Sequence, residues 1–287
     1  MKFLTWNVRG CNAPDKRHLI KRGLDQAKPK VICIQETKLG IEDAARVFGV
    51  RQRWSGFFVE SEGDLGGLGI LWNPLVVQVD AISSSKHWQM VKVNSKIMKF
   101  SCFLINVYGP TLAVEKCQFW KDITKLLEEV RLALAIVARD FNATLSFLEK
   151  RGGVRRMCRM QFDFQTFVDY NALFEVVAKG GSFTWTNRRW GFSNIAEKLD
   201  SFFLARDWNL APLVFEAEVL ATSGSDHFPV SLVVQKDGVP LKCPFKVEKM
   251  WLRELGFRDQ VVVWWKEAPV VEGFLVFQFF KKISYVK

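Results

Sequence analysis

Short runs of apolar and β-branched residues, each stopped by a carboxylate, an amide or a hydroxyl, recur through residues 1–235 of this chain. "FLTWNV" carries Asn7 at its end, "VICIQE" stops on Glu36, "FLINVY" on Tyr108, and "LAIVARD" on Asp140 with Asn142 two residues on. Runs of this length and composition read as strands, and about a dozen of them are expected. Stretches 76–82, 89–94 and 98–108, separated by polar turns, suggest an antiparallel meander; others fall at 183–187, 199–205, 214–220 and 228–235. Helical spacing interrupts them. Pro14 opens a helix carrying Leu19, Ile20 and Leu24, another is expected at 158–172, and the clearest covers 114–130. There Val114, Cys117, Trp120, Ile123, Leu127 and Val130 share a face. No repeat of fixed period is present.

A chain of 287 residues holds one large domain or two small ones. Its 25 Phe and 11 Trp supply a sizeable core, and 49% hydrophobic with 25% charged residues excludes a disordered chain. The net charge of +11 suits a polyanionic partner such as nucleic acid. Cys11, Cys33, Cys102, Cys117, Cys158 and Cys243 form no Cys-x-x-Cys pair, so reduced thiols and an intracellular location are expected. The first strand begins at Phe3 with no apolar leader before it, which predicts no signal peptide. Apolar runs such as Val261–Trp265 are too short to span a bilayer, so no membrane partner is expected. After Gln235 the strand pattern decays into Lys236-Asp237-Gly238-Val239-Pro240. One domain is therefore expected over 1–235, with 236–287 a linker or tail.

A single polar residue at a strand end is more often a cap than a catalyst. Several together differ, because strand ends of packed sheets converge on one rim and can share a cleft. Asp200 in "EKLDSFFL" and Asp226-His227 in "SGSDHFPVSLVV" add to the four stops above. The set suggests phosphodiester hydrolysis. Glu36, with Asn7 and Asp226, offers hard oxygen ligands of the kind Mg²⁺ takes, Mn²⁺ being the alternative. His227 is suited to orient or deprotonate water, with Asp200 fixing its tautomer. Asn142 and Tyr108 are donors for a non-bridging oxygen. Asp140 is placed to position the water or protonate the leaving oxygen. His18 and His87 have no comparable setting and read as surface residues.

"WNVRG", "QETKL", "NVYGP", "RDFN", "KLD" and "SDHFP", in that order, resemble the endonuclease/exonuclease/phosphatase superfamily. "GGSFTWTN", followed by "DW" and "SDHFPV", is similar to the endonuclease domain of plant LINE-type (non-LTR) retrotransposons. The resemblance covers about residues 1–235. It implies an α/β (α+β) four-layer sandwich, two mainly antiparallel sheets packed face to face with helices outside. It also implies a monomer that nicks DNA with Mg²⁺ in the nucleus, leaving an end that primes reverse transcription. Asn7 and Glu36 would lie on the metal side, Tyr108, Asp140 and Asn142 would hold phosphate and water, and Asp200 would pair with His227 beside Asp226. "KMWLRELGFRD" and "VVVWWKE" look like the connector before a reverse transcriptase, a partner in a full-length element. None follows here, so a truncated element or fragment is expected.

Three positions depart from the pattern: Arg139 stands where glycine is usual, Lys198 replaces arginine, and Gly224 replaces leucine. Side-chain alternation points Arg139 away from Asp140, into space shaped for glycine. It is expected there as an overpacked cation without an assured carboxylate partner, lowering both stability and activity. The alternatives are escape of the side chain to solvent along the strand end, or reach into the cleft to help hold phosphate. Two rival readings remain beside a DNA endonuclease: a phosphatase or phosphodiesterase acting on small phosphates, and an inactive copy that binds nucleic acid electrostatically.

Overall fold

The computed structural model describes all residues except 51, 63–64, 99, 154–158, 206–212, 222–223, 237–255 and 268–287. Its elements begin with β1 (Lys2–Asn7), α1 (Pro14–Ala27), β2 (Val31–Gln35), α2 (Ile41–Val47), β3 (Ser55–Glu62) and β4 (Leu65–Trp72). A meander follows as β5 (Val77–Ser84), β6 (Trp88–Ser95) and β7 (Ser101–Tyr108), then α3 (Ala113–Glu129) and β8 (Ala135–Asp140). Next come β9 (Lys150–Arg151), α4 (Arg159–Tyr170), β10 (Leu173–Glu175), β11 (Ala178–Lys179), β12 (Trp185–Thr186) and β13 (Ala196–Glu197). The last are β14 (Asp200–Ala205), β15 (Leu213–Val219), β16 (Val230–Lys236) and α5 (Phe257–Glu267).

One sheet has the order β11-β15-β16-β1-β2-β4-β3, the other β10-β14-β8-β7-β6-β5, and β12-β13-β9 form a small third sheet. Pairing in the two large sheets is mainly antiparallel. The parallel exceptions are β1 with β2, β7 with β8, and β11 with β15. Parallel strands need a crossover, which α1 and α3 supply; each such pair therefore ends at the same rim.

Period-two alternation divides the apolar residues into three clusters, and these separate four layers. Between the sheets lie Phe3, Val31, Cys33, Val91, Leu104, Ile136, Phe202 and Leu232. Leu4, Trp6, Ile32 and Ile34 face the opposite way, onto Ile20 and Leu24 of α1 and Ala44 and Val47 of α2. Ile105, Val107, Val137 and Phe203 meet Phe119, Trp120 and Ile123 of α3 and Phe164 and Phe167 of α4. The Trp120 and Phe164 rings stack 5.3 Å apart. The expected sandwich of two sheets with helices outside is the observed fold.

The helix at 114–130 is α3, but its buried stripe is turned from the expected one. Val114 is 85% exposed, and Phe119 and Leu126 take their place beside Trp120, Ile123 and Leu127. Cys117 is also exposed. β7 begins at Ser101, after residue 98 where the run was expected to start. The "DW" at 207–208 and most of the connector lie outside the described residues. The chain divides into two compact units, Met1–Asp237 and Gly238–Lys287. In the second, the "VVVWWKE" residues belong to α5. Among the described residues no helix is long and apolar enough to cross a membrane.

Candidate active site

Alternation along β1 turns Thr5 and Asn7 to the space between the sheets, while Leu4 and Trp6 face α1. Asn7 is in register with Gln35, so Glu36 follows immediately beyond the end of β2. In the facing sheet, Asp140 is in register with Tyr108 on one side and Asp200 on the other. The two rims are joined by Asn7. Its Nδ2 donates to Glu36 Oε1 at 2.9 Å and to Asp140 Oδ2 at 2.8 Å. Tyr108 Oη donates to the same Glu36 oxygen at 2.8 Å.

Beneath this rim lies a buried amide layer. Gln35 Nε2 donates to Thr5 Oγ1 at 2.8 Å and to Asn106 Oδ1 at 2.6 Å, and Asn106 Nδ2 reaches Gln89 Oε1 at 3.1 Å. A buried amide left unpaired costs about 1–3 kcal/mol, so this layer fixes how the two strand ends meet.

Two site residues hold left-handed backbone, Glu36 at φ 50° and Asn142 at φ 47°. Such strain in a non-glycine residue persists only where its surroundings impose it. Around Asn142 they do: its N–H donates to Asp140 Oδ1 at 3.0 Å, and its Nδ2 to the Gly109 carbonyl at 2.7 Å. Gly109 has to be glycine, since a Cβ there would lie 2.5 Å from the Phe141 carbonyl oxygen.

His227 Nδ1 lies 2.9 Å from Asp200 Oδ2 and 3.8 Å from Asp140 Oδ2, with all three side chains buried. Asp200 is set by Thr184, whose Oγ1 accepts the backbone N–H groups of Leu199 and Asp200 at 3.0 and 2.9 Å. The His227 backbone is held by Trp6, whose indole donates to its carbonyl at 3.1 Å. Ser225 Oγ donates to the Asn7 carbonyl at 2.8 Å, tying the "SDH" segment to β1.

Asn7, Glu36, Tyr108, Asp140, Asn142, Asp200 and His227 thus form one connected cluster. Asp226 stands at its edge. Its carboxylate accepts from the Trp185 indole at 3.1 Å and pairs with Arg9 at 3.6 Å, and it makes no hydrogen bond with Glu36 or the Asn7 side chain.

The electrostatics follow from burial and close carboxylates. Burial pulls the His227 imidazole down, but the Asp200 carboxylate and its hydrogen bond, then Asp140 and Asp226, outweigh it and raise the pKa to about 9. Burial, then Asp200, pushes the Asp140 carboxyl up, against His227 and the Asn7 and Asn142 donors. Burial and the neighbouring Glu36 push the Tyr108 phenol up, so it remains a donor.

Asp140, Asp200 and His227 offer ligand atoms all within 4.8 Å of one another and could hold a metal ion. Asp200 Oδ1 there is buried without a hydrogen-bond partner. Glu36 is the other candidate: Oε1 carries two hydrogen bonds, whereas Oε2 has only Lys38 Nζ at 3.9 Å.

Two expectations need correction. Arg139 does point away from Asp140, but it is not an unpartnered intruder. Its side chain is fully buried and its Nε donates to Ser201 Oγ at 2.8 Å. Glu175 lies at ion-pair distance, 3.8 Å, from Nη2, which has no hydrogen-bond partner of its own among the described residues. The guanidinium also lies 4.9–5.4 Å from the Phe141, Phe164 and Phe203 rings, which bound the space that a glycine would leave. His87 is half-buried, not a surface residue. Its ring lies edge-on to Phe119 at 5.9 Å, and Nδ1 is 3.1 Å from the Tyr108 carbonyl. His18 is exposed, as expected. Thr184, Trp185, Ser225 and Arg9 escaped the sequence reading; the first two stand in "GGSFTWTN", where the motif itself was the available signal.

A four-layer α/β sandwich with carboxylates, amides and an Asp-paired histidine at one rim of its two sheets defines a class. Residues 4–227 match the model of the Endonuclease/Exonuclease/phosphatase family, and the chain belongs to that family. Several solved structures share the fold. The AP endonuclease LMAP from Leishmania major is 16% identical, matched over 82% of this chain and 87% of that chain with a TM-score of 0.65. The endonuclease domain of TRAS1, a telomere-specific non-LTR retrotransposon, is 15% identical over 82% of this chain and 98% of that chain, with a TM-score of 0.61. The 3'-5' exonuclease NExo from Neisseria meningitidis is 17% identical over 83% of this chain and all of its own, also at 0.61.

Proposed function

We propose that this chain is a divalent-cation-dependent endonuclease that nicks DNA, of plant LINE-type retrotransposon origin and acting in the nucleus. The observation that carries the reading is the continuous array Tyr108–Glu36–Asn7–Asp140, set against the Asp200–His227 pair. It combines an acidic oxygen site with a positioned imidazole at one rim, the two components that water attack on a phosphodiester requires.

Glu36 would hold Mg²⁺ or Mn²⁺ through its open oxygen, with Asn7 beside it and Asp226 at the edge. A hard ion that keeps several waters needs few protein carboxylates. The imidazole-containing group at Asp140–Asp200–His227 suits a softer ion, and its His227 Nδ1 is already engaged by Asp200. When bound, the cation neutralises charge developing on the scissile phosphate and adds positive charge that brings His227 down towards neutrality.

Asp200 fixes the tautomer of His227, leaving the other ring nitrogen for the attacking water. Asp140, whose carboxyl is pushed up by burial and by Asp200, is placed to position the water or to protonate the leaving oxygen. Asn142 Nδ2 donates to the Gly109 carbonyl and its amide also engages the Tyr108 hydroxyl, so a phosphate oxygen would take over that second interaction. Tyr108 gives its hydrogen to Glu36 and thereby orients that carboxylate.

DNA as the substrate is supported by the surroundings. Arg9, Lys16 and Arg188 line an open groove of about 510 Å³ that also contains Asp226. Between β12 and β13 the chain forms a hairpin whose tip exposes Arg188, Arg189, Trp190 and Phe192, a cationic and aromatic surface suited to phosphates and bases. The test is conversion of supercoiled plasmid to open circle with Mg²⁺ against EDTA, run beside phosphate release from soluble phosphoesters. Nicking alone supports the proposal, while phosphate release without nicking transfers the site to small phosphoesters.

A further inference from the structure

Two departures from the family's motif pattern, Arg139 and Lys198, meet at one carboxylate. Arg139 Nη2 is 3.8 Å from Glu175 Oε1, and Lys198 Nζ is 2.7 Å from Glu175 Oε2. Lys198 also reaches Glu149 Oε1 at 3.2 Å, and Glu149 Oε2 accepts the Leu145 N–H at 2.6 Å. Two cations and two carboxylates balance in charge, as a fully buried guanidinium requires. The Arg139–Glu175 contact is an ion pair without a hydrogen bond, Nη2 and Oε1 both being buried without a hydrogen-bond partner among the described residues.

The remaining Arg139 bonds all end beside site residues. Nε holds Ser201 Oγ at 2.8 Å and Nη1 holds the Leu199 carbonyl at 3.2 Å, the neighbours of Asp200 on either side. Nη1 also donates to the Ala143 carbonyl at 3.3 Å, one residue past Asn142. The arginine's own position is next to Asp140, and cross-strand register sets it opposite Ser201. A single planar fork therefore ties the loop carrying Asn142 to the strand carrying Asp200. The ring faces of Phe141, Phe164 and Phe203 bound its plane at 4.9–5.4 Å.

We infer that Arg139, anchored through Glu175 to Lys198, is a positioning residue that sets the Asp200–His227 pair against Asp140 and Asn142. This rests on the proposed phosphodiester-hydrolase reading for its rate effect, but not for its geometry. Arg139 contacts no reacting atom; it acts through Asp200 and the 141–145 loop. Displacement of such groups by about 1 Å costs about 100-fold in rate, and binding contacts elsewhere are untouched.

The decisive variant is Arg139→Lys, which keeps the charge and the apolar stem but not the fork. Two readouts are taken on the full chain: kcat and KM for plasmid nicking, and the His227 Nδ1–H resonance in EDTA. The expected result is a fall in kcat of about 10- to 100-fold with KM within about two-fold, together with a shifted or broadened resonance. In Arg139→Gly, millimolar ethylguanidinium is expected to restore part of the lost kcat. An unmoved resonance overturns the inference whatever the rate does, and so does a wild-type kcat. If wild-type protein does not nick, the functional reading fails and the resonance alone decides the role of Arg139. Should Arg139→Lys not fold, Glu175→Gln, which frees the guanidinium from its anchor, is judged on the same two readouts.

Discussion

At the scale of single residues, the site is governed by one imidazole between buried carboxylates. The pKa of His227 stands at about 9 against an ordinary 6.5, so its proton is retained more tightly in the folded than in the unfolded chain. The stabilisation this gives is fully present below about pH 6.5 and is lost as pH rises through about 9. Urea unfolding of the metal-free protein is therefore expected to show stability falling by a few kcal/mol between pH 6.5 and 9. A flat profile across that window would show that the Asp200 carboxylate does not hold the proton on His227. The same pair makes a kinetic prediction. Asp200→Asn preserves shape but favours the wrong tautomer, so nicking should slow by about 100-fold or more while DNA affinity stays similar. Turnover equal to wild type from pH 6 to 8 would dissolve the proposed pair.

At the scale of elements, the hairpin between β12 and β13 carries its own prediction. Trp190 and Phe192 are almost wholly exposed, so truncating both removes no core contact. Trp190→Ala with Phe192→Ala should leave the melting temperature within a degree or two, and raise KM for DNA about ten-fold or more if the rings meet bases. An unchanged KM would assign the hairpin no part in binding. The elements also show what a sequence can reveal. β1, β2, β7 and β8 were legible because each is a short, largely apolar and β-branched run that stops on a polar side chain, and those stops are the residues now clustered at the rim. β3 was not expected: "SGFFVESE" mixes Gly56 with Glu60 and Glu62, as suits the edge strand it forms. α2 spans only seven residues, too few to display a helical stripe. The direction of Arg139 was read correctly, but the partners that surround it were not foreseen. Its direction follows from local alternation, whereas Ser201, Leu199 and Glu175 reach it only through strand register and tertiary packing.

At the scale of the whole molecule, the chain carries an excess of 11 positive charges, which suits the polyanionic substrate proposed for it. Only the cations that meet phosphates count towards binding, and Arg9, Lys16 and Arg188 line the groove that contains Asp226. Affinity for duplex DNA is expected to fall by about 0.9 log unit per contacted phosphate for each tenfold rise in salt. A salt-independent affinity would favour a small phosphoester as substrate. The central claim concerns the two halves of the rim, a cation on Glu36 and a base at His227, acting together on DNA. The most direct test is the initial rate of supercoiled-plasmid nicking in Mg²⁺, for wild type, Glu36→Ala and His227→Ala, with folding checked by melting temperature. The account predicts nicking by wild type, none in EDTA, and loss of about 100-fold or more in each variant. Folded Glu36→Ala protein that nicks at the wild-type rate would contradict it.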